Sequence, residues 1–174
     1  MINLIITCAR NLEGETEEEI IDILDELGDP EVKISVSNMS GIITIETKLD
    51  PIEVVRKMKE MLLDEPWSVR YCLRVIPIQK VVETNLEKIQ EYISSISNNI
   101  ENNESYRILI EKRNSDISSK EIIKNIANEI KNKVSLDFPD KIILIEILGI
   151  FTGISLIKKS DIFSLEKTKR SMSE

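Results

Sequence analysis

The chain of 174 residues contains no histidine. Imidazole is the commonest general acid–base near neutral pH and the commonest metal ligand, so two simple routes to a catalytic centre are missing. Cysteine is almost as scarce, with Cys8 and Cys72 alone. Both sit in apolar, strand-like stretches and far apart, which suits two buried small hydrophobes in a reducing compartment rather than a disulfide framework or a zinc site. Aromatic residues make up 4% of the chain, too few for a stacking platform to be its main device for holding bases. No glycine-rich phosphate loop occurs among the 5 glycines. The opening MINLIITCAR lacks a basic start and is too short an apolar run for a secretory leader. The longest apolar stretch, Ile142 to Ile157, is interrupted by Glu146 and Gly149 and falls short of the roughly 20 residues of a spanning helix. Together these gaps predict a cytoplasmic protein with no membrane span, metal, cofactor or catalytic residue.

What is present is ordinary for a globular chain: 41% hydrophobic and 31% charged residues, in a length that suits one large domain or two small ones. The net charge of −8 argues against nucleic-acid binding when taken alone. Its distribution argues otherwise. Residues 1–80 hold 9 Lys and Arg against 16 Asp and Glu, a balance of −7, whereas residues 105–170 hold 13 against 9, a balance of +4. Charges act over about 10 Å at moderate salt, so a basic face can work on an acidic protein.

The front half alternates element types. Asn3 to Ala9 is an apolar run that fits a buried strand. Thr16 and Glu19 have capping-box spacing, Ile20, Leu24 and Leu27 share a helical face, and Gly28 stops the helix. The acidic run from Glu15 to Glu19 reads as charge favoured at a helix start rather than a metal site. Val32 to Ser37 and Ile42 to Thr47 form a hairpin around Ser-Asn-Met-Ser-Gly. Asp50-Pro51 with Glu53 opens a second helix, whose buried face is Ile52, Val55, Met58 and Leu62. Pro66 ends that helix, and Val69 to Ile76 forms another strand. The order βαββαβ predicts a ferredoxin-like sandwich, with helices on one face of an antiparallel sheet.

Pro77 to Glu83 reads as a connector. Thr84 and Glu87 begin a third helix, lined by Leu86, Ile89, Ile93, Ile96 and Ile100. Tyr106 to Ile110 is a strand, Ser118 and Glu121 cap a helix lined by Ile122, Ile126, Ile130 and Val134, and Pro139-Asp140 precedes a strand over Ile142 to Ile147. Gly149 to Gly153 turns the chain into a last strand, Ile154 to Ile157. Basic residues stand where these strands end, Arg107, Lys112, Arg113, Lys158 and Lys159, as on a surface that holds something negative, and Lys112, Arg113, Lys158 and Lys159 are expected to share one edge of the sheet. Residues 163–174 read as a polar tail carrying Lys167, Lys169 and Arg170.

The second half, in the order YRILIEKRN, SSKEIIKNIANEI, VSLDFPD, IILIEILG and TGISLI, resembles the THUMP domain of RNA-modifying proteins. The likeness covers roughly Val81 to Lys159 and rests on Lys112-Arg113 at a strand end, the Val134-Ser135-Leu136…Pro139-Asp140 turn and the Glu146…Thr152-Gly153-Ile154 hairpin. Ser135 departs from the family, whose turn often has Asp at that place. The front half resembles the ferredoxin-like domain that accompanies THUMP, and Arg74-Val75-Ile76-Pro77-Ile78 resembles the strand leading from one to the other.

The resemblance implies an α+β protein: an N-terminal ferredoxin-like βαββαβ domain over 1–78, an α/β THUMP domain over 79–162 and the tail over 163–174. THUMP families usually attach this pair to a catalytic domain, and none of the motifs of one is found here. The chain is therefore similar to stand-alone members. These bind the acceptor stem and 3′ end of tRNA and present it to an RNA cytidine acetyltransferase. On that likeness the chain is not an enzyme, and its partners are tRNA and the acetyltransferase. Lys112, Arg113, Lys158 and Lys159 would contact RNA, with Arg107, Arg74 and Lys80 as weaker candidates, the last two near the domain junction. The acidic front half would dock a basic enzyme. Two other readings stay open: an RNA-binding subunit of another tRNA-modification enzyme, or a fragment of one, and a ferredoxin-like module that binds a small regulatory molecule.

Overall fold

The computed structural model describes residues 1–36 and 38–173; Ser37, the expected end of the first hairpin strand, and Glu174, the expected end of the tail, lie outside the described residues. The chain divides into two compact units, Met1–Ile78 with Ser160–Glu174, and Gln79–Lys159.

In the first unit, strands β1 (Leu4–Thr7), β2 (Lys33–Val36), β3 (Ile42–Glu46) and β4 (Arg74–Pro77) alternate with helices α1 (Glu13–Leu27) and α2 (Pro51–Asp64) in the βαββαβ order. The sheet runs β2-β3-β1-β4, antiparallel throughout, which is the ferredoxin-like arrangement. Leu4 and Ile6 share a buried cluster with Ile20 and Leu24 of α1 and Val55, Met58 and Leu62 of α2. Each such side chain contributes roughly 1.5–3 kcal/mol by leaving water.

The helix starts divide the expectations. At α2, the Asp50 carboxylate accepts the Ile52 N–H at 2.9 Å and Pro51 occupies the first turn, as its spacing predicts. Glu53 does not close a box but turns to Arg56, 2.6 Å away. Helix α1 starts before the expected cap, so Thr16 is buried inside it and donates its hydroxyl to the Leu12 carbonyl at 2.6 Å. Glu19 instead accepts the backbone N–H groups of Arg70, Tyr71 and Cys72 at 2.5, 2.9 and 2.8 Å. Those amides are satisfied by a carboxylate rather than a sheet ladder, which is why the strand expected from Val69 begins only at Arg74. In the turn before β3, Gly41 has φ +76°, and a Cβ there would lie 2.7 Å from the Cys8 carbonyl oxygen, so only glycine fits. Cys8 and Cys72 are free, buried thiols, and burial pushes the Cys72 thiol well up.

The expected tail is built into this unit. Strand β9 (Phe163–Ser164) pairs with β4 in the register Val75↔Phe163, and α5 (Leu165–Met172) follows, capped by Ser164. Phe163 is wholly buried in the first core. One aromatic in a polar stretch was the signal for this return, and net polarity concealed it.

The second unit contains β5 (Lys80–Glu83), α3 (Leu86–Ile96), β6 (Tyr106–Arg113), α4 (Ser119–Glu129), β7 (Lys141–Leu148) and β8 (Phe151–Ile157). Its sheet runs β5-β8-β7-β6, with β6 and β7 parallel and the other pairs antiparallel. Residues 80–83, expected in a connector, are thus an edge strand. Asn85 caps α3 in place of Thr84, whose hydroxyl lies 2.8 Å from that of Thr152. Ser118 caps α4 through the Glu121 N–H, as expected. Ile89, Ile93, Ile122 and Ile126 pack with Tyr106, Ile143, Ile145, Ile147 and Ile154. Val134, expected to complete the α4 stripe, lies beyond the helix end and is 51% exposed. The β7–β8 turn is only Gly149-Ile150, with Gly149 at φ +60°, so Gly153 is a mid-strand residue opposite Glu146.

Candidate nucleic-acid interface

Side chains on a strand alternate between faces. On β6, Tyr106, Ile108 and Ile110 join the core beneath the helices, so Arg107, Leu109, Glu111 and Arg113 take the other face. Lys112 and Arg113, expected to act as a pair, therefore point to opposite sides of the sheet. Each already serves the fold. The Lys112 ammonium donates to the Ile117 carbonyl at 2.9 Å. The Arg113 guanidinium, one-third exposed, lies 3.6 Å from the carboxylate of Glu146, which is 1% exposed.

The topology also separates the candidates along the sheet. Strand β8 runs against β7, which runs with β6, and Ile157 stands opposite Ile142, itself opposite Arg107. Lys158 and Lys159 follow directly, so they share the end where β6 begins. Lys112 and Arg113 stand at the far end, about 20 Å away at the usual strand rise. The single edge expected for Lys112, Arg113, Lys158 and Lys159 is not formed. Arg74 lies in β4 of the first unit, opposite Thr7 and Ser164. Lys80 is exposed and opens β5 opposite Ile154, midway along β8.

The end shared by Arg107, Lys158 and Lys159 carries the segment of residues 134–140, whose sequence predicts only a turn. The Lys133 carbonyl accepts the Tyr106 N–H and the Ser135 N–H donates to the Tyr106 carbonyl, both at 3.0 Å, which lays Val134 beside β6 as one further parallel bridge. Asp140 closes the loop, its carboxylate accepting the Ser105 N–H at 2.8 Å and the Ser105 hydroxyl at 3.1 Å. Those two Ser105 donors hold the Asp140 carboxyl below the usual carboxylate range. Inside the loop, the Ser135 hydroxyl oxygen accepts the Phe138 N–H at 3.3 Å, and the Arg107 guanidinium donates to the Leu136 carbonyl at 3.1 Å.

Lys131 and Lys133 are exposed on this loop and make no salt bridge among the described residues. Lys141 stands 3.8 Å from Glu104. With Arg107, Lys158 and Lys159 they gather 6 of the 12 Lys and Arg of residues 79–159 at one end, an arrangement suited to successive phosphates. The first unit offers the opposite charge: a groove of about 460 Å³ between α1 and α2 is lined by Glu19, Asp22, Glu26, Asp64 and Glu65. Among the described residues no helix is long and apolar enough to cross a membrane.

Residues 83–157 match the model of the THUMP domain family. Among curated proteins, none matches the chain in sequence. Solved structures share the fold over most of the chain. PH1313 from Pyrococcus horikoshii Ot3 is 19% identical with a TM-score of 0.63, over 91% of this chain and 55% of that one. TrmN from Thermus thermophilus is 14% identical with a TM-score of 0.61, over 90% and 45%. A 4-thiouridine synthetase, solved as an RNA complex with bound ATP, is 13% identical with a TM-score of 0.50, over 91% and 42%. The chain thus spans 55% or less of the length of these proteins, and the likeness is one of fold. Residues 83–157 are a THUMP domain, and the α+β chain places a ferredoxin-like region ahead of it.

Proposed function

We propose that the chain is a non-catalytic tRNA-binding adaptor that holds the acceptor stem and 3′ end and presents the tRNA to an RNA cytidine acetyltransferase. The observation that carries the RNA-binding part is the gathering of Arg107, Lys131, Lys133, Lys158 and Lys159 at one end of the THUMP sheet. RNA helices hide their base edges in a deep groove, so recognition rests on backbone shape and on unpaired nucleotides. Lysines on a fixed loop and at a strand end suit that task as point charges for phosphates, and each contact releases counterions. The acetyl transfer belongs to the partner enzyme, and the acidic groove of the first unit is complementary to a basic protein surface.

A second reading assigns the chain to another tRNA-modification enzyme. It is favoured by the fold shared with TrmN and the 4-thiouridine synthetase, of which this chain spans less than half.

Binding to intact tRNA and to tRNA trimmed of its 3′ end, at two salt concentrations, tests the RNA-binding part. Tighter binding of the intact form, falling steeply with salt, is the expected result. Absent binding, or binding insensitive to both changes, would overturn it. Cytidine acetylation reconstituted with a purified acetyltransferase, with and without this chain, separates the two readings.

A further inference from the structure

Phe138 is 87% exposed, the most exposed large apolar side chain among the described residues, and Leu136 beside it is 65% exposed. Single exposed apolar residues are common on surfaces and carry no argument by themselves. Here the backbone beneath them is tied down. Ser105 and Asp140 close the base, Tyr106 pairs across to Lys133 and Ser135, the Ser135 hydroxyl oxygen accepts the Phe138 N–H, and Arg107 donates to the Leu136 carbonyl. A ring presented from a loop already ordered loses little further entropy on contact with a ligand.

The surroundings select that ligand. Lys131 and Lys133 precede the ring on the same loop, and Arg107, Lys158 and Lys159 lie at the same end of the sheet. The two acids of the loop, Asp137 and Asp140, are outnumbered: the Ser105 donors keep Asp140 ionised, but five cations stand at this end of the sheet. An apolar ring at the basic end of the sheet fits a nucleotide, whose base offers a π face and whose phosphate offers charge. Bases inside a duplex are stacked on one another, so the ring can take only an unpaired one.

We infer that Phe138 is a stacking residue for one unpaired nucleotide of the bound RNA, with Lys131 and Lys133 on the adjoining phosphates. The chain is poor in aromatics, but one ring is sufficient for one base. The inference rests on the RNA-binding reading above and adds to it a residue and the RNA element that this residue holds.

The test uses the full chain with two RNA hairpins whose strands are joined by a non-nucleotide linker, so that neither has unpaired loop bases, one blunt and one carrying four unpaired 3′ nucleotides. Phe138→Ala is expected to weaken binding of the overhang hairpin by about 5- to 150-fold, the range of stacking on one base. Binding of the blunt hairpin and the salt slope stay as in the unsubstituted chain, and Phe138→Trp retains the overhang preference. Because the side chain is exposed, Phe138→Ala leaves the thermal midpoint unchanged. If the unsubstituted chain binds the overhang hairpin and Phe138→Ala binds it equally well, stacking is overturned while the adaptor reading stands. Equal losses on both hairpins would also overturn it, and would point to a duplex contact or a loop-shaping role. If the unsubstituted chain binds neither hairpin nor tRNA, the adaptor reading falls and takes this inference with it.

Discussion

The carboxylate of Asp140 receives both the backbone N–H and the hydroxyl of Ser105, at 2.8 and 3.1 Å. The two residues are 35 positions apart, and their bonds join the start of β6 to the start of β7 at the base of the loop that carries Phe138. A loop closed in this way is a rigid display rather than a loose connection.

Ser105→Ala removes one of the two donors and is expected to loosen that loop while leaving the sheet intact. Amide hydrogen exchange of residues 134–140 should speed up several-fold. Exchange in β7 should not change. Because the Asp140 carboxyl is held below the usual range, the tie is complete above the ordinary Asp pKa and is lost as pH falls through the folded value. Loop exchange in the unsubstituted chain should therefore approach that of Ser105→Ala in acid.

Charge reversal should separate the two ends of the THUMP sheet. Lys131→Glu with Lys133→Glu is expected to weaken tRNA binding by about tenfold or more and to lower the magnitude of the log–log salt slope by roughly 1–2. Arg113→Met acts differently, because it removes the guanidinium beside buried Glu146. It should cost about 2 kcal/mol of stability, and Glu146→Gln in the same chain should recover part of that. Binding per folded molecule should change little. A titration at three salt concentrations and a denaturant melt distinguish the two classes.

Asp29 makes the first unit sensitive to acid. It is 3% exposed and accepts the Thr47 hydroxyl at 2.5 Å and the N–H groups of Lys48 at 2.9 Å and Glu31 at 3.2 Å. Burial opposes its charge, but these donors outweigh it and hold the carboxyl below its usual range. A depressed folded pKa means stability present above the unfolded value and lost as pH falls through the folded one. Asp29→Asn is expected to cost about 1–3 kcal/mol at neutral pH and to flatten the acid limb of a plot of thermal midpoint against pH.

Phe163 should be as important to the first core as any helix residue. Phe163→Ala is expected to cost about 3–5 kcal/mol, a value typical of an emptied aromatic site. Calorimetry should show the loss in the transition of the first unit. A chain ending at residue 159 should show at least the same loss.

Much of the architecture was legible along the chain, because it rests on local chemistry. The period of the isoleucines, the Asp50-Pro51 start and the Ser118 cap depend on neighbours within a turn or two, and they predict the βαββαβ order and the two helices of the THUMP unit. Wherever a side chain had a distant partner, local spacing misled. Glu19 has capping-box spacing, yet its carboxylate satisfies amides more than 50 residues away. Residues 80–83 read as a connector until β8 supplies their ladder.

The same division holds for the candidate site. Composition alone determined that no histidine chemistry operates and that basic charge lies in the back half. Which bases stand together was decided by strand direction: a parallel β6–β7 pair followed by an antiparallel β8 brings Lys158 and Lys159 to the same end of the sheet as Arg107 and leaves Lys112 and Arg113 at the other end. Adjacency in sequence made Lys112 and Arg113 look like a pair, and the two-residue period of a strand sends them to opposite faces. Only hydrogen bonds between residues far apart in the chain turned VSLDFPD from a polar turn into a fixed loop that holds an aromatic ring in the solvent at the basic end of the sheet.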